Sequence, residues 1–375
     1  MIAGVLDLGG ATQTISSKTG GNDTGTFRNG GEIRNGTVNL TDTSEQHWNN
    51  TVFTFGVDSH VSCPARFYLQ NGAHLTISGG TYTNTFTGNH VIGGAGNMST
   101  LEVSNGGRFY APLEWFVGHN NGGALIGDGG FIDVGDKPLY LSNNNNAPSV
   151  LALTNSVLMC SDIRFAYSSS KGSTQTLVFK NTVANLAKFV FNKKTDASSI
   201  LFDGATLVPK AAAANFMPAG LPSPTLGADG LVISNAFDVT AAVAMKGTGG
   251  LVKKGNGKLT LTGAQAFAGD VVVSNGAFAA SSTFAGGLLA ASGTAIDLAN
   301  ATFGGRIVVE AGVVPASTNG VNWAEVRAVP VAKSTAGISC PRQFDANGRH
   351  YFTKTLQGMH WLYYGKQAGL IITIQ

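Results

Sequence analysis

A short phrase recurs along this chain of 375 residues: alternating apolar and polar residues, then Asn or Asp, then a small residue. For example, Leu101 to Gly107 reads Leu-Glu-Val-Ser-Asn-Gly-Gly. A period of two indicates a β-strand, and Asn or Asp before a small residue favours a turn with left-handed backbone. The phrase returns at intervals from 22 (203 − 181) to 40 (275 − 235) residues, with turn residues Asn71, Asn105, Asp128, Asn155, Asn181, Asp203, Asn235 and Asn275. A strand and a corner repeated in this way predict a solenoid.

We therefore predict an all-β fold, a right-handed parallel β-helix over residues 1–312 with a small C-terminal cap over residues 313–375. One turn of such a helix needs several short strands, which about 20 to 30 residues can supply. The alternative is a β-sandwich, which would place strands about every 8–12 residues without a repeated corner phrase. In a stack of equivalent turns, each corner Asn is expected to lie above the next and to form a hydrogen bond with it.

The composition excludes several classes of protein. Charged residues make up 12% of the chain and hydrophobic residues 43%, which is unlike a disordered protein. The net charge of +3 is scattered, without a basic run that interleaves with aromatic residues, so we predict no nucleic-acid partner. The chain contains no run of about 20 apolar residues, so we predict no membrane span. The first seven residues lack the features of a signal peptide, which is expected of a piece trimmed from a longer precursor.

The cysteines and histidines do not predict a metal site or a cofactor. Cys63, Cys160 and Cys340 lie far apart, and we interpret them as small buried thiols, with one disulfide pair as the alternative. The histidines lack the spacing of zinc ligands: His47, His60, His74 and His350.

Residues 249–278 contain the most specific motif of the chain. Its regularly spaced residues are Gly249, Leu251, Lys253, Gly255, Gly257, Leu259, Leu261, Gly263, Phe267, Gly269, Val271 and Gly276. This pattern resembles the autotransporter-associated β-strand repeat, also called the passenger-associated transport repeat, with Gln265 in place of the usual Asn and Phe278 in place of the terminal Leu. The resemblance implies a bacterial surface or secreted protein whose β-helical passenger folds outside the cell.

The residues of this segment also have an interpretation of their own. We predict three strands and their turns, in which Leu259, Leu261, Val271 and Val273 point inward. The glycines between them are expected at the corners.

The C-terminal region, residues 313–375, differs from the rest in its aromatic content. Its aromatic residues include Trp323, Tyr351, Phe352, Trp361, Tyr363 and Tyr364, and the chain ends in the apolar run Gly369–Gln375. An open solenoid end exposes strand edges unless it is capped, so a cap is one interpretation of this region. A surface that binds carbohydrate or a protein partner is the other.

An enzyme is the runner-up hypothesis for the whole chain. Parallel β-helices can hold polysaccharide lyases and glycoside hydrolases, and a group of potential acids, bases and aromatic residues lies at His90, Arg108, Tyr110, Glu114, Trp115, His119, Asp128, Asp133 and Lys137. Arg108, Glu114 and His119 are the first candidates for catalysis. However, the chain contains no catalytic motif.

The leading hypothesis is a non-enzymatic, extracellular or cell-surface β-helical protein that resembles a passenger. It would act as a structural spacer or adhesin that presents loops for binding. The expected partners are glycans or other cell-surface proteins. End-to-end self-assembly is a third hypothesis, because the ends of a β-helix can stack when they are uncapped.

Overall fold

The computed structural model describes residues 2–15, 27–43, 45–142, 147–165, 173–191, 198–299, 301–316, 321–322 and 326–367. Within these ranges every regular secondary-structure element is a β-strand. In the same ranges no helix is long and apolar enough to cross a membrane. The chain divides into two compact units: unit 1 holds Met1–Lys210 and Gly220–Pro222, and unit 2 holds Ala211–Ala219 and Ser223–Gln375.

The described residues of unit 1 form three parallel sheets, A, B and C. From Phe27–Arg34 to Lys188–Phe191, successive strands belong to sheets A, B and C in turn. Sheet A contains β1 (Ile2–Asp7), β3 (Phe27–Arg34), β6 (Val52–Phe55), β9 (His74–Ser78), β12 (Ser99–Ser104), β15 (Gly123–Asp128), β18 (Ser149–Thr154), β21 (Gln175–Lys180) and β24 (Ser199–Asp203). Sheet B contains β2 (Thr12–Ile15), β4 (Gly36–Leu40), β7 (Ser59–Cys63), β10 (Thr81–Asn84), β13 (Arg108–Tyr110), β16 (Phe131–Asp133), β19 (Val157–Met159), β22 (Val183–Leu186) and β25 (Ala205–Pro209). Sheet C contains β5 (Gln46–Asn49), β8 (Phe67–Gln70), β11 (His90–Ile92), β14 (Trp115–Val117), β17 (Leu139–Leu141), β20 (Asp162–Phe165) and β23 (Lys188–Phe191).

Unit 2 contains four sheets, D to G. Sheet D holds β27 (Thr225–Leu226), β30 (Lys246–Gly247) and β33 (Ala266–Phe267), and sheet E holds β28 (Leu231–Ser234), β31 (Leu251–Lys254), β34 (Val271–Val273), β37 (Leu288–Ala290), β40 (Ile307–Val309) and β43 (Ile338–Ser339). Sheet F holds β26 (Ala213–Met217), β29 (Val239–Ala241), β32 (Lys258–Leu261), β35 (Ala277–Ala280), β38 (Ala295–Asp297) and β41 (Val314–Pro315). Sheet G holds β36 (Thr283–Phe284), β39 (Ala301–Phe303), β42 (Ala328–Ser334), β45 (Met359–Gly365) and β44 (His350–Leu356) in spatial order.

The stacking of strands in each unit confirms the predicted fold class, a right-handed parallel β-helix. The interior forms because successive strands present the same alternation in register. On sheet A, Leu151 pairs with Leu177 and Leu153 pairs with Phe179, and all four side chains are fully buried. Burying a large apolar side chain stabilises the fold by roughly 1.5–3 kcal/mol, so each added turn extends one continuous core.

The corner after sheet A follows a register that the sequence phrase does not show. Ser104 pairs with Asp128, and Asp128 pairs with Thr154, so Asn105 is level with a glycine and not with Asp128. The residues with left-handed backbone along this corner are Gly79, Asn105, Gly129, Asn155, Asn181 and Gly204, with φ between 44° and 71°. Asn155 lies level with Asn181, as expected of a stack of Asn over Asn, whereas the Asn105 side-chain amide donates to the Ser78 hydroxyl at 2.9 Å.

The remaining predicted corner residues lie on other corners. Asn71 follows β8 of sheet C, has φ of 57° and donates to the Asn49 side-chain oxygen at 3.0 Å. Asn235 and Asn275 follow strands of sheet E in unit 2. Asp128 and Asp203 are the last residues of their strands in sheet A. The eight residues of the repeated phrase therefore occupy three different corners of the two units.

The segment 249–278, which resembles the transport repeat, lies within unit 2. It contains five short strands, β31 to β35, where the sequence predicted three. The predicted inward residues are confirmed: Leu259, Leu261, Val271 and Val273 are buried. The segment extends further than one turn because β34 returns to sheet E beside β31, in register at Leu251 and Val271.

Candidate binding face

The three residues predicted for catalysis lie on two sheets of unit 1. Arg108 begins β13 of sheet B, and its guanidinium lies 5.8 Å from the centroid of the Phe131 ring. Glu114 and His119 lie on either side of β14 in sheet C. Burial, followed by the charge of Arg66, lowers the pKa of His119 and favours its neutral form.

The other members of the predicted group lie on all three sheets of unit 1 and on one loop. Tyr110 and Asp133 belong to sheet B, Asp128 ends a strand of sheet A, Lys137 lies in the loop before β17, and His90 and Trp115 are buried on sheet C. His90 is a structural residue: its Nδ1 accepts a hydrogen bond from the Phe67 amide at 3.0 Å. Burial, followed by the charge of Arg66, lowers the pKa of His90 to about 3, so the imidazole is neutral at physiological pH.

Sheet C carries a column of aromatic and apolar side chains in register on its outer face. The column runs through His47, Tyr68, Val91, Phe116, Tyr140 and Arg164. The Phe116 and Tyr140 rings stack at 4.8 Å, and both are only 3% exposed. At one end, Arg164 pairs with Asp162 at 2.7 Å and donates to the Tyr140 hydroxyl at 3.1 Å. The middle of this column is therefore packed and does not present an open surface.

A different arrangement occurs in unit 2, on the outer face of sheet G. There β44 and β45 form an antiparallel pair, and β45 also pairs antiparallel with β42. Because side chains alternate along a strand, Trp361 and Tyr363 share one face, and Leu362 and Tyr364 the other. Leu362 and Tyr364 are buried, whereas Trp361 and Tyr363 are partly exposed. We call the set Lys333, Phe352, Lys354, Trp361 and Tyr363, which share this side of the sheet, the aromatic–lysine face; within it Phe352 is buried.

The side chains of the aromatic–lysine face contact one another closely. The Phe352 and Tyr363 rings stack at 5.5 Å with an interplanar angle of 14°. The Lys354 ammonium lies 5.4 Å from the Tyr363 ring centroid and 5.8 Å from that of Phe352. The Lys333 ammonium lies 5.4 Å from the Trp361 ring centroid. Such cation–π contacts hold each ammonium over its ring and leave it able to bind an anion.

Neither lysine of this face forms an ion pair with any residue that the structure describes. The acidic residue of this region, Asp345, is engaged elsewhere. Its carboxylate accepts hydrogen bonds from the Arg349 amide at 2.8 Å and from the Tyr364 hydroxyl at 2.9 Å. Burial alone would raise the pKa of Asp345, but these hydrogen bonds lower it, so the carboxylate stays ionised and anchors the inner side of the sheet.

A pocket of about 220 Å³ adjoins the aromatic–lysine face at Phe352. Arg342, His350 and Gln367 also line it. The Arg342 guanidinium lies 5.6 Å from the Phe344 ring centroid. A further cationic group is therefore available beside the face.

Sequence reasoning named the aromatic residues of this face but missed its two lysines. The period of two in β44 indicates that Phe352 and Lys354 share a side of the strand. Their neighbours across the sheet come from separate segments of the chain, so the sequence does not show which residues complete the face. Two parts of the predicted C-terminal region, Trp323 and Gly369–Gln375, lie outside the described residues.

Lys253 of unit 2 belongs to the motif at residues 249–278, but the sequence did not predict that it is buried. Its side chain is fully buried, and its ammonium donates to the carbonyl oxygens of Lys254 at 2.8 Å, Gly255 at 2.6 Å and Asn275 at 3.1 Å. Burial lowers the pKa of Lys253 to about 8, partly opposed by the charge of Asp238. The ammonium is thus still largely protonated at neutral pH, and it links one corner to the corner of the next turn.

The three cysteines are free thiols: Cys63 and Cys160 are buried and Cys340 is partly exposed. Among the described residues, no group of three or more His, Cys, Asp or Glu side chains could hold a metal ion. No protein-family model, curated protein or solved structure matches the chain.

Proposed function

We propose that this chain is a non-enzymatic β-helical protein of the bacterial exterior or cell surface, a spacer or adhesin that presents a binding surface. The observation that carries the proposal is the aromatic–lysine face of unit 2, where partly exposed rings lie beside ammonium groups without ion-pair partners among the described residues. Aromatic rings beside unpaired cations are suited to recognition. Catalysis needs acids and bases held around one reacting atom.

Three further observations support this proposal. Each turn of a β-helix buries its apolar side chains against the neighbouring turns, so a simple repeated pattern is enough to build a long structure. Residues 249–278 resemble a repeat of exported passengers, which supports a location outside the cell. The candidate catalytic residues Arg108, Glu114 and His119 lie on two sheets, which favours binding over turnover.

The location is tested on intact cells that produce the protein natively. We expect an added protease to digest the protein before the cells are lysed, while an intracellular marker protein stays intact. Digestion that requires lysis would overturn the proposed location.

The non-enzymatic part is tested with the purified chain and a panel of neutral and acidic polysaccharides. We expect no new reducing ends or unsaturated products. Product formation that is lost in Arg108→Ala, Glu114→Gln or His119→Ala would overturn the proposal in favour of a polysaccharide lyase or hydrolase.

A further inference from the structure

We propose that the aromatic–lysine face of unit 2 binds an acidic polysaccharide, a chain of sugars that carry carboxylate groups. This inference rests on the proposed function, because it names the ligand class of that same face. Three independent features of the described residues lead to it: the distribution of charge, the spacing of the two lysines and the packing of the rings.

Positive charge is concentrated in the segment that builds the face. Residues 326–367 contain six basic residues and one acidic residue, a net charge of +5. The basic residues are Arg327, Lys333, Arg342, Arg349, Lys354 and Lys366. The whole chain has a net charge of +3, so the remaining residues sum to −2 (3 − 5). A cationic region on an otherwise slightly acidic chain favours a polyanionic partner.

The register of sheet G places the two lysines on either side of one aromatic residue. Lys333 pairs with Trp361 on one neighbouring strand, and Lys354 pairs with Trp361 on the other. Their backbones are therefore separated by two strand spacings, about 10 Å. A polymer with a carboxylate on every sugar can engage both ammonium groups at once and cover Trp361 between them. A single small anion could at most bridge the two ammonium groups and would leave the Trp361 ring uncovered.

The rings provide the apolar part of the interaction. Sugars have apolar C–H surfaces between their hydroxyl groups, and a partly exposed Trp or Tyr can pack against such a surface while its polar atom stays hydrated. The adjoining pocket adds the Arg342 guanidinium, which suits bidentate hydrogen bonds to a carboxylate. Together these groups match a ligand that alternates apolar ring surface with negative charge.

Single-stranded nucleic acid also combines negative charge with stacking, but the packing of the rings disfavours it. Nucleobases stack on free ring faces. Here Phe352 and Tyr363 stack on each other, and Lys354 lies over both. Successive bases would have to separate these two rings, whereas a polysaccharide needs one ring, Trp361, for its sugar surface and the two ammonium groups for its carboxylates.

The test uses the full chain and two forms of one polymer, polygalacturonate and its fully methyl-esterified, uncharged counterpart. We expect binding to polygalacturonate that weakens as salt is added, and at least about 10-fold weaker binding to the ester, because the ester offers no charge to the lysines. Equal binding of both polymers would overturn the proposal. Tighter binding of oligo-dT than of polygalacturonate would also overturn it and indicate a nucleic-acid site.

Variants locate the site on the face. The double substitution Lys333→Gln and Lys354→Gln, and separately Trp361→Ala, should each weaken polygalacturonate binding by about 10-fold or more. Lys366→Gln, an exposed lysine outside the aromatic–lysine face, is the matched control and should change binding by less than about 2-fold. Unchanged thermal unfolding of the glutamine variants shows that they are folded. Full binding by the folded double variant would overturn the site.

These outcomes are separate from those of the proposed function. A chain that binds polygalacturonate through Lys333 and Lys354 but stays inside the cell contradicts the proposed location and leaves the site intact. A chain that is exposed on cells but ignores polygalacturonate contradicts the ligand class alone.

Discussion

Two corners, one in unit 1 and one in unit 2, turn the chain between parallel strands by using different properties of small residues. At the corner after sheet A in unit 1, Asn105 takes left-handed backbone with φ of 53° and keeps its side chain. In unit 2, Gly249 has an ordinary φ, but a Cβ there would overlap the carbonyl oxygen of Gly227 and lie 2.7 Å from the Cα of Gly230. The first corner requires a conformation, and the second requires the absence of a side chain. They should therefore respond differently to substitution.

The interiors of the two units differ in a related way. In unit 1, the polar side chain of His90 is buried among aromatic rings, with the Trp115 ring at 4.6 Å. In unit 2, Lys253 is buried beneath a corner and donates only to backbone carbonyls. The neutral His90 imidazole accepts one backbone hydrogen bond, whereas the charged Lys253 ammonium donates three. Their substitution and their dependence on pH test whether this distinction holds.

The largest effect is expected from Gly249→Ala. The added methyl group meets backbone atoms, which cannot move aside as a flexible side chain can, so the free energy of unfolding should fall by at least about 3 kcal/mol. The control in unit 1 is Gly106→Ala: Gly106 has φ of 79°, but nothing lies within 4 Å of its added Cβ. This control should cost about 1–2 kcal/mol, the strain of left-handed backbone alone. Urea unfolding measures both, and equal losses would contradict the distinction between conformation and space.

Lys253→Met should produce the next largest loss, about 1–3 kcal/mol at neutral pH, because buried carbonyl oxygens lose their donor. Methionine fills a similar volume without the charge. Lys254→Met, at the exposed lysine next to it, is the control and should change stability by less than about 0.5 kcal/mol. If Lys253→Met were as stable as the parent, the cost of burying the ammonium would cancel its three hydrogen bonds, and the corner would not depend on them.

His90→Phe should cost a similar or smaller amount, since one backbone amide, that of Phe67, loses its acceptor. Its more specific effect concerns pH. The pKa of His90 is about 3 in the folded chain, against an ordinary histidine pKa of about 6.5. Between these values the unfolded chain binds more protons, so the stability that neutral His90 supports is complete above about pH 6.5 and is lost as the pH falls towards 3.

The measurement is the free energy of unfolding at pH 7 and pH 4.5. The parent should lose more stability between these values than His90→Phe does. His60→Gln, a change at an exposed histidine of sheet B, should keep the slope of the parent. An unchanged slope in His90→Phe would show that the imidazole is not the group that links acid to unfolding.

The sequence predicted the fold because its main signal, alternation with period two, is local. Leu259 and Val271 could be assigned to the interior from their neighbours alone, and both are fully buried. The register could not be predicted in the same way. Asn-Gly and Asp-Gly are both good turn sequences, so Asp128 seemed equivalent to Asn105. In the structure Asn105 and Gly106 both take left-handed backbone, whereas at Asp128-Gly129 only the glycine does. Asp128 is still paired with Ser104 in the sheet, so Gly129 is the residue level with Asn105.

The candidate site was only partly visible for the same reason. Trp361 and Tyr363 stand out by residue type and lie two residues apart. Lys333 joins them from a strand 28 residues earlier (361 − 333), through antiparallel pairing that reverses the parallel pattern of the rest of the chain. The alternation of residues within one strand does not predict such a pairing between distant strands. The predicted catalytic residues, from Arg108 to His119, are close in sequence but belong to two sheets of one turn, which a local pattern does not show.

The smallest effect, and the one that tests the register directly, is expected at the corner after sheet A. Asn105→Leu should lower the unfolding free energy by about 1–2 kcal/mol, because Leu resists left-handed backbone and the hydrogen bond to Ser78 is lost. Asn105→Gly should be nearly neutral, since glycine already fills the level positions 79, 129 and 204. Asp128→Leu, at the neighbouring turn, should change stability less than Asn105→Leu does, because Asp128 ends its strand and Gly129 takes the left-handed position. Thermal unfolding of the three variants decides between the two registers. If Asp128→Leu loses as much stability as Asn105→Leu, Asp128 is aligned with Asn105. If Asn105→Leu loses no stability, Asn105 does not form the corner.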